Sequence, residues 1–148
     1  MSVVLRAATP LDAGATGEIL WHALRQSGSA ELHSEAEAIG LCGVMIERKW
    51  VTVALSGSGV QSFLARDGQE ICALYTAENA RGQGIGRQLV EKAKREVPRL
   101  HLQTPVTNAG ARRFYARAGF VPVPLAGPAE PDATRPACTF IWQKEIAA

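Results

Sequence analysis

Arg81-Gly-Gln-Gly-Ile-Gly-Arg87 lies between an apolar run, Ile71-Cys-Ala-Leu-Tyr-Thr76, and an amphipathic stretch, Gln88-Leu-Val-Glu-Lys-Ala-Lys94. A strand, a glycine-rich turn and a helix start in this order build a cradle of backbone N–H groups. Glycine permits the tight turn and lets the backbone approach a ligand closely. The helix N-terminus adds unpaired donors and partial positive charge, which suits a phosphate. Arg81 and Arg87 bracket the turn with fixed charge. The stretch therefore reads as a pyrophosphate site, although such turns also serve simply to fit a helix onto a sheet.

Two nucleotide readings fail on composition. A P-loop needs Gly-Lys followed by Ser or Thr, and here Gly86 is followed by Arg87 and Gln88. A dinucleotide fingerprint needs its third glycine where Arg87 stands, and an acidic residue about twenty positions later. That later stretch reads Gln103-Thr-Pro-Val-Thr107 and contains no acid.

A second segment follows downstream, Asn108-Ala-Gly-Ala-Arg-Arg-Phe-Tyr115-Ala-Arg-Ala-Gly119-Phe120. Together, Arg81-x-x-Gly84-x-Gly86 and the run from Asn108 through Tyr115 to Gly119-Phe120 resemble the GNAT superfamily of acyl-CoA-dependent N-acyltransferases. The resemblance is close over residues 70–122 and extends to the rest of the chain only in layout. It implies that the backbone of Leu74, Tyr75 and Thr76 bonds the pantetheine arm of acetyl-CoA. It also implies that Arg81, Gly82, Gln83, Gly84, Ile85, Gly86 and Arg87 hold the pyrophosphate, and that the strand before the loop splays from residues 100–106 to open a cleft. A backbone N–H near Tyr75 or Thr76 would polarise the thioester carbonyl.

In the second segment the resemblance gives Asn108 a bond to the pantetheine arm, beside its ordinary reading as a helix N-cap. Tyr115, seven positions on, is the candidate general acid: a phenol of pKa about 10 is protonated at neutral pH and can donate as charge develops on sulfur. Its other reading is an aromatic core residue beside Phe114 and Phe120. The general base is open. Some relatives keep a Glu five residues before the Asn, where this chain has Gln103. Glu70 is the tentative substitute, with Glu78 and His33 as further candidates and water-relayed deprotonation equally compatible. Specificity in the family sits largely in the N-terminal helices and the late loop. Glu31, His33, Glu35 and Glu37 give the first of these an acidic character that suits a cationic amine, or that simply solvates a helix start.

The implied reaction is acetyl transfer to an amine acceptor, small-molecule or peptide, by direct transfer in a ternary complex. Neither motif contains a cysteine to carry the acyl group, although Cys72 lies on the strand beside the expected cleft. The competing function is an acyl-CoA-binding regulatory module without turnover. Dimers through the late strands are common in such folds.

Bulk properties are consistent with this. The chain has 148 residues, enough for one domain with its own core, of which 47% are hydrophobic and 20% charged. Cys42, Cys72 and Cys138 show neither disulfide nor metal-ligand spacing, and His22, His33 and His101 form no ligand cluster. No metal is expected, and a reducing cytoplasm is the natural compartment. No stretch is long enough to span a membrane, and no signal-peptide layout is visible. A net charge of +2 is too small to argue for nucleic acid. Nine basic residues against two acidic ones between Arg81 and Arg117 suit capture of a small polyanion.

The predicted layout is α+β, order β-α-α-β-β-β-α-β-α-β-β: a mixed, mostly antiparallel sheet flanked by helices. Thr9-Pro10 opens the first helix. Ser34 and Glu37 have capping-box spacing for the second, which is read as running to about Lys49. Asp67-Gly68 marks a two-residue hairpin, Pro98 follows the third helix, and Gly119 closes the fourth. Leu125 to Pro136 reads as a loop, and Thr139 to Trp142 as the last strand.

Overall fold

The structure, a computed structural model, describes residues 2–29, 31–123 and 137–145. Strand β1 (Val4–Ala7) leads through a 3-10 turn (Pro10–Asp12) into α1 (Ala13–Gln26) and then α2 (Glu35–Glu47). Three strands follow, β2 (Val51–Ser56), β3 (Gly59–Asp67) and β4 (Glu70–Thr76), and a second 3-10 turn (Glu78–Ala80). The chain continues as α3 (Ile85–Glu96), β5 (Arg99–Pro105), α4 (Ala109–Arg117), β6 (Val121–Val123) and β7 (Ala137–Gln143). This is the predicted order. The predicted loop at 125–136 lies outside the described residues.

The seven strands form one sheet in the order β1-β2-β3-β4-β5-β7-β6. Every neighbouring pair is antiparallel except β4 and β5, which are parallel. Alternation along the central strands sends Val53, Phe63 and Ala65 to one face and Ala54 and Leu64 to the other. The first face is covered by Ile19 and Leu20 of α1 and by Ala38, Cys42, Met45 and Ile46 of α2. The second is covered by Ile85, Leu89, Val90 and Ala93 of α3, together with Tyr115, Phe120 and Phe140. Strand β3 is buried on both faces from Gln61 to Ala65, with the polar Gln61 and Ser62 preceding its apolar Phe63-Leu-Ala65. Burying a side chain such as Phe63, which is fully enclosed, contributes about 1.5–3 kcal/mol.

Several boundaries moved, each for a local reason. The first helix begins at Ala13 rather than at Pro10. The Thr9 N–H donates to Asp12 Oδ2 at 2.8 Å, and the Arg6 guanidinium grips both Asp12 oxygens at 2.7 and 3.1 Å, holding the first turn as 3-10. Ser34 caps α2 as expected, its Oγ accepting from the Glu37 N–H at 3.1 Å, while the Glu37 carboxylate reaches past Ser34 to the His33 N–H. That helix stops at Glu47. Lys49 takes φ of 66° and Trp50 N–H closes onto the Met45 carbonyl, so the expected end at Lys49 is the left-handed residue after the helix. In the β3–β4 hairpin Asp67 pairs with Glu70, so the turn residues are Gly68 and Gln69, one later than predicted, with Gly68 at φ 60°. Between α1 and α2 the approach is close: a Cβ on Gly17 would sit 2.5 Å from Ile39 Cα.

Candidate active site: the cleft between β4 and β5

The β4–β5 ladder is short. Glu70 pairs with His101, whose N–H donates to the Gln69 carbonyl at 2.9 Å, and no further register pair follows. Towards Thr76 and Pro105 the strands separate, and a cleft of about 1050 Å³ opens between them. The other edge of β4 stays paired with β3 through Thr76. Alternation decides which β4 groups face the gap. Ala77 N–H donates to the Gln61 carbonyl of β3 at 2.8 Å, so the main chain of Thr76, and of Leu74 two residues before it, turns the other way. The Thr76 carbonyl accordingly accepts from Arg81 Nε at 3.3 Å. Buried Ser62 steadies this strand end by donating to the Tyr75 carbonyl at 2.8 Å and accepting from Thr76 Oγ1 at 2.9 Å.

The glycine turn is built by backbone conformation. Gly82 and Gly84 have φ of 78° and 77°, and a Cβ on either would meet open space. Glycine is needed there for the left-handed backbone rather than for packing. Gly84 is the N-cap of α3, and the first helical bond runs from Gln88 N–H to its carbonyl at 3.1 Å. The N–H groups of Ile85, Gly86 and Arg87 precede that bond and have no helical acceptor. Gly86 serves differently: Phe114 of α4 comes within 3.6 Å of where its Cβ would be. Arg81 and Arg87 are exposed at the cleft, with no ion pair among the described residues. An anion at this turn would meet oriented N–H groups, a helix N-terminus and two unpaired guanidiniums.

Across the gap Asn108 caps α4, its Oδ1 accepting from the Ala111 N–H at 3.1 Å, and it also lines the cleft. Tyr115 has both of its expected characters. Its ring is in the core, 7% exposed, at centroid distances of 5.1 Å from Phe114, 5.4 Å from Phe120 and 6.2 Å from Phe140. The residue lines the cleft, and its hydroxyl bonds no other side chain or main-chain group among the described residues. Burial, with a smaller effect from the nearby Tyr75 phenol, pushes its titration well above the ordinary range, so it stays protonated.

Two features of α4 fix where that phenol points. The helix ends in a Schellman motif, with Phe120 N–H on the Tyr115 carbonyl at 2.9 Å, Gly119 N–H on the Ala116 carbonyl at 3.1 Å, and Gly119 at φ 91°. The accompanying apolar contact is the Tyr115–Phe120 ring pair.

The proposed bases fare differently. Glu70 sits at the closed, hairpin end of β4, exposed, roughly 20 Å of extended chain from Thr76. It does not line the cleft, and neither do Glu78 or His33. This placement takes Glu70 out of reach of chemistry at Tyr115. Among the described residues the acidic side chain that does line the cleft is Glu31, between α1 and α2; burial, and to a lesser extent the Glu31 charge, raises the Tyr75 phenol. Composition had marked the acidity of that segment, but nothing local separates Glu31 from Glu35 or Glu37. Cys72 is exposed outside the cleft, with burial raising its thiol, which is the wrong direction for a ready nucleophile. No group of three or more potential metal ligands occurs among the described residues, and no helix there is long and apolar enough to cross a membrane.

Comparison with known proteins agrees with this geometry. Residues 30–122 match the family model described as "Acetyltransferase (GNAT) domain". Over 92 residues the chain is 34% identical to the peptidyl-lysine N-acetyltransferase YjaB of Escherichia coli (strain K12), and the match covers 62% of each protein. The match thus spans less than two thirds of that relative's length. Among solved structures, a GNAT-family acetyltransferase from Bacillus cereus ATCC 10987 superposes with a TM-score of 0.80 at 12% identity, covering 99% of this chain and 100% of that one. YncA of Salmonella typhimurium, solved with its cofactor acetyl-CoA, gives 0.72 at 16% identity, covering 100% and 97%. With the family model matched over residues 30–122, more than half of the chain, the chain belongs to the GNAT acetyltransferase family.

Proposed function

We propose that this protein is an N-acetyltransferase that moves the acetyl group of acetyl-CoA to a primary amine within a ternary complex, acting as a single domain. The observation that carries the reading is the convergence of three features on one cleft: an unpaired β4 edge, a helix N-terminus with two guanidiniums that make no ion pair among the described residues, and a protonated phenol. A pantetheine arm is strand-like and would pair with the main chain of Leu74 and Thr76. The residues from Arg81 to Arg87 would hold the pyrophosphate, and Asn108 would bond the arm from the opposite wall. The structural neighbour crystallised with acetyl-CoA supports this choice of donor.

The chemistry then follows from the residues present. The amine nitrogen attacks the thioester carbon, an N–C bond forms and the C–S bond breaks. Tyr115 donates its proton to the departing sulfur and regains one from solvent. The acceptor ammonium gives one proton to water before attack and the nitrogen gives a second to water as the amide forms, because no carboxylate stands beside Tyr115 among the described residues. Glu31 lies at the α1–α2 end of the cleft, where its charge would attract an ammonium-bearing acceptor, and the name of the YjaB relative points to a lysine side chain.

The reading is tested by calorimetry with acetyl-CoA on the wild type, on Gly84→Trp and on Arg87→Glu, followed by turnover with a lysine peptide. Binding in the micromolar range, lost in Gly84→Trp and weakened by Arg87→Glu, is the expected outcome. Arg87 makes no contact on which the fold depends, so its variant remains informative if Gly84→Trp misfolds. Absence of binding to acetyl-CoA by the wild type would refute the reading. Binding without turnover would leave the regulatory module.

A further inference from the structure

Lys94 stands in the last turn of α3, the helix whose first turn is the glycine loop, and its side chain is only 14% exposed. Its ammonium donates to the carbonyl of Ala118, the C-cap of α4, and to Glu91 Oε1 at 3.3 Å. It also lies over two aromatic rings, 5.8 Å from the Phe120 centroid and 5.2 Å from that of Trp142. A Cβ on Gly119 would make only an ordinary contact with Nζ at 3.7 Å, so glycine is required there by its φ of 91° rather than by the lysine. The last carbonyls of a helix lack intrahelical partners, and a cation among them is favourable.

The target of this contact is specific. Ala118, Gly119 and Phe120 lie in the Schellman motif that closes α4, whose two hydrogen bonds run to the carbonyls of Ala116 and Tyr115. Phe120 bonds the Tyr115 carbonyl through its N–H and covers the Tyr115 ring with its own. Helix α4 has nine residues, too few to be stable without tertiary support. Its middle rests on Gly86 through Phe114, and its C-terminal end is gripped by Lys94. From these contacts we infer that Lys94 is a positioning residue. It ties the helix that presents the pyrophosphate loop to the helix end that aims the Tyr115 hydroxyl, so that donor binding and proton donation share one rigid frame. The inference rests on the reading of Tyr115 as the proton donor.

Lys94→Met keeps the apolar stem and removes the charge and the donor, whereas Lys94→Arg keeps a cation. For Lys94→Met, kcat falls about tenfold or more, because small displacements of an aligned group are costly. The dissociation constant for acetyl-CoA stays within about threefold, since the loop lies at the other end of α3, and Lys94→Arg recovers part of kcat. In the Tyr115→Phe background, Lys94→Met lowers kcat by less than about twofold, the non-additivity of residues acting through one another. Equal losses in both backgrounds would overturn the inference, because a general loosening of the fold does not depend on the phenol.

A second measurement needs no turnover. The chain has two tyrosines, so NMR of ring-labelled tyrosine gives two sets of signals, assigned with Tyr115→Phe. Lys94→Met shifts the Tyr115 signals and leaves those of Tyr75 in place. Unmoved Tyr115 signals in the folded variant would refute the positioning role. Should the wild type bind acetyl-CoA but release no CoA, the transfer reading fails while the spectrum still decides the role of Lys94 in placing the ring.

Discussion

Replacing Tyr115 with Phe separates the two characters of this residue, because the ring and the hydroxyl have different neighbours. The ring is held by Phe114, Phe120 and Phe140 at 5.1, 5.4 and 6.2 Å, and Phe preserves all three contacts. The hydroxyl bonds nothing else among the described residues, so its removal orphans no partner. Stability should therefore change by no more than about 0.5 kcal/mol, or about 2 °C in melting temperature for a chain of this size. Activity should fall much further. General acids contribute about 10²–10⁴-fold. The lower end applies here because a thiol of pKa about 8.5 leaves tolerably as its anion. A hundredfold loss in kcat corresponds to about 2.7 kcal/mol of transition-state stabilisation. The dissociation constant for acetyl-CoA should stay within about threefold. Free CoA is best followed by chromatography, because exposed Cys72 reacts with thiol dyes. A folded Tyr115→Phe protein with kcat within about twofold of wild type would falsify the proton-donor assignment.

The same variant carries a pH signature. Burial raises the Tyr115 phenol, so the folded state holds that proton more tightly than the unfolded state does. The resulting stability is fully present below the unfolded value of about 10 and is lost as pH climbs beyond it towards the folded value. Wild type and Tyr115→Phe should melt in parallel up to about pH 10. Above it the wild type should lose stability faster, and parallel curves throughout would mean that the ring is not buried in solution.

Three further outcomes test other parts of the structure. Gly17→Ala drives a methyl into Ile39 at 2.5 Å and should cost about 1–3 kcal/mol, whereas Gly14→Ala, with open space around it, should be neutral or slightly stabilising; equal melting temperatures would refute the close α1–α2 packing. Asp12→Asn weakens the clasp of Arg6 and Thr9 on the first turn and should cost about 1 kcal/mol, as the loss of a cap does. The Arg6 bond holds the Asp12 carboxyl below its usual range, so its stabilisation is present above about pH 4 and disappears as pH falls through the lower folded value. An acid limb in the melting profile unchanged in Asp12→Asn counts against that clasp. Glu31→Gln should raise KM for a cationic acceptor about fivefold, the scale of one charge pair near 4 Å in water, with kcat little altered; an unchanged KM would remove Glu31 from the acceptor end.

Much of this protein is local and was readable from the chain. The left-handed turns at Gly82, Gly84 and Gly119 are properties of glycine. The caps Ser34 and Asn108 act on N–H groups three residues away. Such features depend on neighbours a few residues apart, so sequence determines them, along with the order of elements and the position of the anion cradle at the start of α3. Where sequence reading slipped, at Lys49 and at the β3–β4 turn, the error was one or two residues. What the chain alone did not determine is long-range. That β4 leaves β5 after one register pair is decided by pairing between strands about thirty residues apart in the chain. Glu70 and Glu31 look alike as isolated carboxylates, and only the fold carries one to the closed end of a strand and the other to the mouth of the cleft. Lys94 reads as an ordinary helix lysine until α4 brings Ala118 and Phe120 to it, 24 or more positions away in sequence. Backbone propensities act over a turn or two of chain, whereas the direction of a side chain into a shared cleft is set by packing between elements that the sequence holds far apart.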